Sequence, residues 1–302
     1  MASSLSAKHL HDEAAAFAFV EALVWPEGPV CPHCGGVERI SKMQGKATRQ
    51  GLYKCYQCRK QFTVRIGTIF ESSHVPLHVW LQAMCLITGS KKGISSNQLH
   101  RTLGVTLKTA WFMSHRIREA MRSGNLSPLS GTVEVDETFI GRLPNTGNPG
   151  GGVGHKMKVL TLVGRDCGQA RSVVIKSVTV DQIIPIVEAN VTAESHIMTD
   201  ELRVYKHLKT RFAAHSVVCH QFDEYVRGNV HTNTIEGYFS IFKRGMRGIY
   251  QFCSEKHLHR YLAEFDFRYS NRAALGCNDS DRTDALVRGI VGKRLTYQRA
   301  CV

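Results

Sequence analysis

Two cysteine pairs place the strictest condition on how this chain folds. Cys31-x2-Cys34 is followed, after twenty intervening residues, by Cys55-x2-Cys58. Four thiolates at this spacing close a tetrahedral shell around zinc, and Gly35 after the first pair allows the tight knuckle that turns backbone N–H groups toward sulfur. From Cys31 to about Thr68 the sequence is polar and punctuated by glycine, which predicts small hairpins without a helix-packed core. Such a module needs a staple. The expectation is one structural Zn2+ per chain, held by Cys31, Cys34, Cys55 and Cys58 with no position open to water. His33, between the ligands, is expected on the exposed side of the knuckle. A redox C-x-x-C is disfavoured because no βαβ pattern surrounds it. The other six cysteines are isolated and carry no assigned role.

The rest of the chain has the means to build a core. Hydrophobic residues make up 43% and charged residues 21%, which excludes wholesale disorder. The longest apolar stretch, Ala14 to Trp25, is broken by Glu21 and is too short for roughly 30 Å of hydrocarbon. The N-terminus lacks the basic flank of a signal peptide. These features predict a cytoplasmic protein that neither spans a membrane nor is secreted, with its thiols kept reduced. Lys and Arg outnumber Asp and Glu by 39 to 25, a net charge of +14. That excess suits a polyanionic partner, and it equally suits simple solubility.

Changes of character divide the sequence into an N-terminal helix (1–28), the cysteine module (29–70), a helical block (76–123), a mixed α/β domain (131–275) and a C-terminal tail (276–302). Within the helical block, a helix from Ser96 to Leu103 meets a turn at Gly104, and a second helix starts near Thr106. This is helix-turn-helix phrasing. It puts Lys108, Thr109, His115 and Arg116 on exposed faces that can enter a DNA major groove, and an ordinary αα-hairpin fits the segment as well. From Thr132 the pattern reads strand, Gly-rich loop (141–154), strand, strand, helix, strand, helix (ELRVYKHLKTRF), strand, and helices after Asn233. Short connections predict that the first three strands are antiparallel. The Gly-rich loop lacks the G-K-[ST] ending of a phosphate-binding loop and reads as a flexible hairpin.

Three carboxylates stand out in this domain. In TVEVDETFIG, alternation along a strand sends Val133 and Val135 one way and Glu134 and Asp136 the other, so Glu137 is expected on the face opposite Asp136. Asp200 ends the apolar strand SHIMTD, at the carboxyl end where open α/β sheets place reactive groups. Glu236 lies on the helix beginning NTIEGYFSIFKRGMRG. Acids on three separate elements can converge on two divalent cations, the clamp that phosphodiester chemistry uses. Each also has an ordinary alternative. Asp136 fits a strand-end turn, Asp200 fits the N-cap of helix 201–212, and Asn233-x-x-Glu236 fits a capping box.

Thirty-five residues lie between Asp200 and Glu236, and Lys243 follows Glu236 by seven, two helical turns along one face. In this D…D-x35-E…K pattern the sequence resembles the DDE transposases and retroviral-type integrases, which share an RNase H-like catalytic core. It resembles more closely the bacterial insertion-sequence transposases of the ISXO-like group, the fifteen ninety-five family. The matching features are WPEGPVCPHCGG, the stretch YKCYQCRKQFTVRIGTIFESSHVPLHVW, VEVDETFIG, IMTDE, and HTNTIEGYFSIFKRGMRGIYQF followed by HLHRYLAEFDFRYSNR. They run in order from about residue 15 to residue 272.

The resemblance implies a zinc ribbon, a helix-turn-helix-like connector and an RNase H-like α/β domain. It further implies a transposase that cuts DNA at transposon ends and transfers the freed strand into target DNA. Asp136, Asp200 and Glu236 would bind two Mg2+, for which Mn2+ can substitute, and Lys243 would assist. Members of the group can carry Asn as the third catalytic residue, which makes Asn233 the competitor of Glu236; a carboxylate suits a hard cation better. The implied partners are terminal inverted repeats and target DNA, with a homo-oligomer assembled on the ends in the nucleoid. A non-catalytic zinc-ribbon regulator and a simple metal-dependent nuclease are the alternatives. The basic residues Lys243, Arg244 and Arg247, with Arg260 and Arg268 beyond, are expected along a DNA channel, joining Lys108, Thr109 and Arg116. His220 and His231 read as structural, because spacing alone defines no role for them.

Overall fold

The computed structural model describes residues 4–122, 127–143, 152–219 and 228–296. They form two compact units. The first joins Met1–Ser90 and Ile94–Arg122 to Cys277–Val302, and the second comprises Lys91–Gly93 and Ser123–Gly276.

In the first unit, helix α1 (Glu13–Val24) starts where the Asp12 side chain accepts the Ala15 N–H at 2.7 Å, an N-cap that satisfies one orphan donor. Its Ala16, Phe17 and Val20 are buried. Strands β1 (Ile40–Lys42), β2 (Tyr53–Cys55) and β3 (Gln61–Phe62) make the small antiparallel sheet that the cysteine spacing predicts. Only four residues, Cys31, Tyr53, Cys55 and Phe62, form its buried centre, and Trp25 packs edge-on against Tyr53 and Phe62. Helix α2 (Leu77–Gly89) begins after Pro76, and the Glu13 carboxylate caps it by accepting the Leu77 and His78 N–H groups at 2.8 and 3.0 Å.

Helices α3 (Ser96–Leu103) and α4 (Leu107–Met121) have the expected start and stop signals. Ser95 and Thr106 are N-caps, and Gly104 takes the left-handed conformation (φ +66°) that ends α3. Lys108 is exposed, and the half-buried Thr109 shares a hydrogen bond with Thr106. The expectation for His115 and Arg116 is overturned, since both are buried. The Arg116 guanidinium donates to the carbonyls of Ile69, Glu71 and Leu295, which makes it an internal tie in this unit. The segment read as a tail holds helix α8 (Asp279–Arg288), whose Leu286 and Val287, with Ile290 beyond, are fully buried.

The second unit is built on a five-stranded mixed sheet in the order β6-β5-β4-β7-β8. Strands β4 (Thr132–Ile140), β5 (Met157–Gly164) and β6 (Ala170–Ile175) are antiparallel, as their short connections require. Helix α5 (Val180–Asn190) carries the chain across to β7 (His196–Thr199), which lies parallel to β4, and β8 (Ala214–Val217) continues parallel. Where a second crossover helix is expected over 201–212, the chain forms a 3-10 helix, Arg203–Thr210, which still buries Val204, Tyr205 and Leu208. Val133 and Val135 face a core with α5 and that 3-10 helix; the other sheet face packs against α6 (Asn233–Gly245) and α7 (Glu255–Ser270). Residues 144–151 of the Gly-rich loop and His220 lie outside the described residues.

Candidate active site and metal centre

The four cysteine sulfurs meet at one point. Cys31 Sγ is 3.6 Å from Cys58 Sγ, and Cys34 Sγ is 3.8 Å from Cys55 Sγ. Tetrahedral zinc with Zn–S bonds of about 2.3 Å sets its sulfurs about 3.8 Å apart, so the cluster fits that ion without rearrangement. The knuckle forms through Gly35 N–H to Cys31 O (2.8 Å) and Cys31 N–H to Gly36 O (2.9 Å). Hydrogen bonds from the Cys58 and Gln57 N–H groups bring the Cys55 thiol down to about 7. His33 is exposed, outside the sulfur cluster.

The acidic site follows from sheet register. Strand β7 pairs with β4 so that Glu134 lies beside Met198. Two residues further along parallel strands, Asp136 stands level with Asp200, just beyond the last residue of β7. Carboxylate oxygens of Asp136, Glu137 and Asp200 all lie within 4.8 Å of one another. Glu137 was expected to point away; its side chain does turn to the other sheet face, where Tyr205 Oη donates to Oε2 at 2.6 Å, yet its carboxylate still reaches the group. Asp200 does not cap a helix through its side chain. Its Oδ1 accepts the Leu202 N–H at 3.1 Å, a local turn that leads into the 3-10 helix.

Crowding like charges in a dry place raises their proton affinity. Burial, then the charges of Glu137 and Asp200, push the Asp136 carboxyl up to about 8, although the Glu137 N–H donates to it at 2.7 Å. Glu236 adds a smaller push of the same sign, so its charge is felt at Asp136. Burial also raises Glu137, and the Tyr205 hydrogen bond partly offsets it. An all-oxygen donor set holding too little positive charge suits a hard divalent cation. The residues present therefore fit Mg2+ as they fit zinc at the cysteines.

The third position sits on the first turn of α6. Thr232 is the N-cap and Asn233 the first helical residue, so Asn233 is not the cap of a capping box. Glu236 is exposed, with Thr232 Oγ1 donating to its Oε1 at 3.1 Å. Of the basic residues, Lys243 lies over the Phe239 ring at 5.8 Å, Arg244 bonds back to Ser240 and Arg247 is exposed. Arg268 is overturned as a channel residue, being buried and paired with Glu264 at 2.5 Å.

Sequence reasoning put Glu134 on the face of Asp136 but gave it no task. It is fully buried; its Oε1 accepts from Arg165 Nε at 2.5 Å and its Oε2 from the Ile235 N–H at 2.8 Å. A charged residue at an inward strand position was the signal that a partner must exist.

Residues 128–270 match the ISXO2-like transposase domain, and residues 11–61 match the transposase zinc-ribbon domain. A relative described as an uncharacterized protein in transposable element ISH50 of Halobacterium salinarum is 28% identical over 262 residues, covering 81% of this chain and 86% of its own length. A solved chain of the simian T-cell lymphotropic virus intasome in complex with PP2A regulatory subunit B56 gamma aligns at 16% identity over 56% of this chain, with a TM-score of 0.30; this chain spans 63% of that one. No helix among the described residues is long and apolar enough to cross a membrane. Two domains of one transposase family are thus matched in order along a single sequence: the chain carries an ISXO2-like transposase domain preceded by a transposase zinc-ribbon domain.

Proposed function

We propose that this transposase cuts DNA at transposon ends and joins the freed ends to target DNA, using Asp136, Asp200 and Glu236 to hold two Mg2+ ions. The observation that carries the reading is the register that sets Asp136 level with Asp200, with Glu236 close enough to act on the same carboxyl. In the first step the oxygen of a water attacks an end phosphorus, and the bond to the 3′ oxygen breaks to leave a 3′-hydroxyl. In the second, that hydroxyl attacks a target phosphodiester and displaces its 3′ oxygen. Bound cations would lower the cost of charge on the attacking and leaving oxygens. The chain's own part is to carry the carboxylates on rigid elements, with the Glu137 N–H orienting Asp136, the Leu202 N–H orienting Asp200 and Tyr205 holding the neighbouring Glu137.

An RNase H-like description of residues 131–275 is supported by the mixed sheet carrying its acids on adjacent parallel strands. The zinc ribbon (29–70) and the helical connector (76–123), with Lys108 and Thr109 on its accessible side, are read as the DNA-recognition part. Lys243, Arg244 and Arg247 extend the basic surface, and a homo-oligomer assembles on the DNA ends. A purely regulatory protein would leave three crowded carboxylates with no ion to offset their burial, so that reading is disfavoured. The test is end cleavage and strand joining on DNA carrying the element's termini. Wild type should do both with Mg2+ or Mn2+, and Asp200→Asn should bind DNA and do neither. Cutting without joining would point to a nuclease, and DNA binding without cutting would point to a regulator.

A further inference from the structure

One buried carboxylate ties the strand that carries Asp136 to the helix that carries Glu236. Glu134 lies two residues before Asp136 on the same sheet face, with its side chain fully buried. Its Oε2 accepts the N–H of Ile235, one of the first-turn amides of α6 that have no partner within the helix. Its Oε1 accepts from Arg165 Nε at 2.5 Å. Arg165 follows β5, and its backbone N–H donates to Thr132 O at 2.9 Å, which fixes it to the root of β4. The same guanidinium donates to Asn229 O at 2.7 Å, His231 O at 2.5 Å and His231 Nδ1 at 2.7 Å. Because arginine only donates, His231 Nδ1 must accept, which makes this ring the neutral tautomer with its proton on Nε2. The 3.4 Å approach of His231 Nδ1 to Glu134 Oε1 is then a neighbouring contact and not an ion pair.

Three points on the lead-in to α6, and the first turn itself, are thus held to β4 by one Glu–Arg pair. We propose that Glu134 and Arg165 are positioning residues, a buried clamp that sets the height of the Glu236 carboxylate relative to Asp136 and Asp200. The inference rests on the metal-dependent reading of the acidic site. It adds that the third ligand is placed from the strand side, because the amide that Glu134 holds belongs to the residue immediately before Glu236. Partners that orient metal ligands are worth about 10–100-fold in metal affinity or activity when removed.

The test uses the full-length zinc-loaded protein. Glu134→Gln keeps the shape and an acceptor for Ile235 but removes the charge that holds Arg165. Because breaking one side of a buried pair can unfold a protein, the second variant is the apolar double replacement Glu134→Leu with Arg165→Met, which restores packing without the clamp. Mn2+ binding to the Mg2+-free protein, hydrogen exchange over residues 229–238 and cleavage against Mg2+ concentration are read together. The expected result is a folded variant whose Mn2+ affinity and half-saturating Mg2+ worsen by about tenfold or more, with faster exchange confined to the start of α6. A merely structural pair would lower the melting temperature and leave cation affinity unchanged. A folded variant that binds Mn2+ and cuts like wild type therefore overturns the proposal. If Asp136→Asn abolishes Mn2+ binding while neither clamp variant affects it, only the clamp falls. If wild type itself binds no divalent ion at this site, the underlying reading falls and takes the clamp with it.

Discussion

Replacing Asp136 by asparagine should make the cation-free protein more stable, an unusual outcome for a change at a half-buried polar residue. The Asp136 carboxyl titrates at about 8 in the fold against 3.8 ordinarily, chiefly through burial and then through Glu137 and Asp200. A raised carboxyl contributes to stability only while protonated: its contribution is complete below 3.8 and is lost as pH rises through about 8. At pH 7 the unfolded chain has released this proton while the fold retains it. At about 1.36 kcal/mol per pH unit, this linkage opposes folding by about 4 kcal/mol. Asparagine removes that opposition and can still accept the Glu137 N–H, but burying its amide returns about 1–3 kcal/mol. The net gain is on the order of 2 kcal/mol, or about 4–8 °C for a unit of this size.

The assay is thermal unfolding from pH 4 to 9 in Mg2+-free buffer without chelator, so that zinc stays in place. The two proteins should melt alike near pH 4 and diverge as pH rises. Saturating Mg2+ should invert the order, because only wild type gains the ion's binding energy. Half-saturating Mg2+ should also rise as pH falls below 8, since cations must displace the Asp136 proton. A variant that melts at or below wild type at pH 8 without Mg2+, or a difference that persists unchanged at pH 4, refutes the argument.

Other outcomes follow from the same contacts. Metal analysis should find one zinc per chain; Cys31→Ser with Cys55→Ser should lose it together with the order of β1–β3, and retention of zinc would contradict the sulfur geometry. Arg116→Ala should cost about 2–4 kcal/mol because three carbonyls, that of Ile69 buried and those of Glu71 and Leu295 partly buried, lose a charged donor, while leaving the salt dependence of DNA affinity as it was. Lys108→Ala should do the reverse, lowering the salt slope by about one with stability within about 0.5 kcal/mol. Glu236→Gln should fold and fail to cut. Asn233→Ala, at an exposed first helical position, should change stability by less than about 0.5 kcal/mol and retain cleavage. A dead but folded Asn233→Ala beside an active Glu236→Gln would reassign the third ligand.

The parts of this fold that depend on short-range spacing were legible in the sequence. The cysteine knuckles, the Gly104 turn, the Ser95 and Thr106 caps and the antiparallel β4–β6 run all follow from neighbours a few residues apart. The meeting of Asp136 and Asp200 was foreshadowed by strand ends, but its register depends on a crossover that no local pattern encodes. Strand alternation misjudged Glu137, because direction at Cβ does not fix where a longer side chain ends at the limit of a sheet. Helical spacing likewise misplaced Arg116. A basic residue reads as solvent-facing unless the carbonyls that receive it are known, and here they come from residues 69, 71 and 295.

The return of α8 to the first unit affects how the chain is made. Thr283 hydrogen-bonds Thr88 at 3.1 Å, Gly292 N–H donates to Gly67 O at 2.9 Å and Leu286, Val287 and Ile290 fill that unit's interior. The second unit is therefore an insertion within the sequence of the first. On a ribosome working from the N-terminus, residues 123–276 emerge and can close their own sheet while the earlier unit still lacks one wall. Until α8 arrives, the zinc ribbon and the connector helices remain an open shell with exposed apolar surface. Completion of the first unit thus waits for residues 277–290, which are made only after the whole of the second unit has emerged.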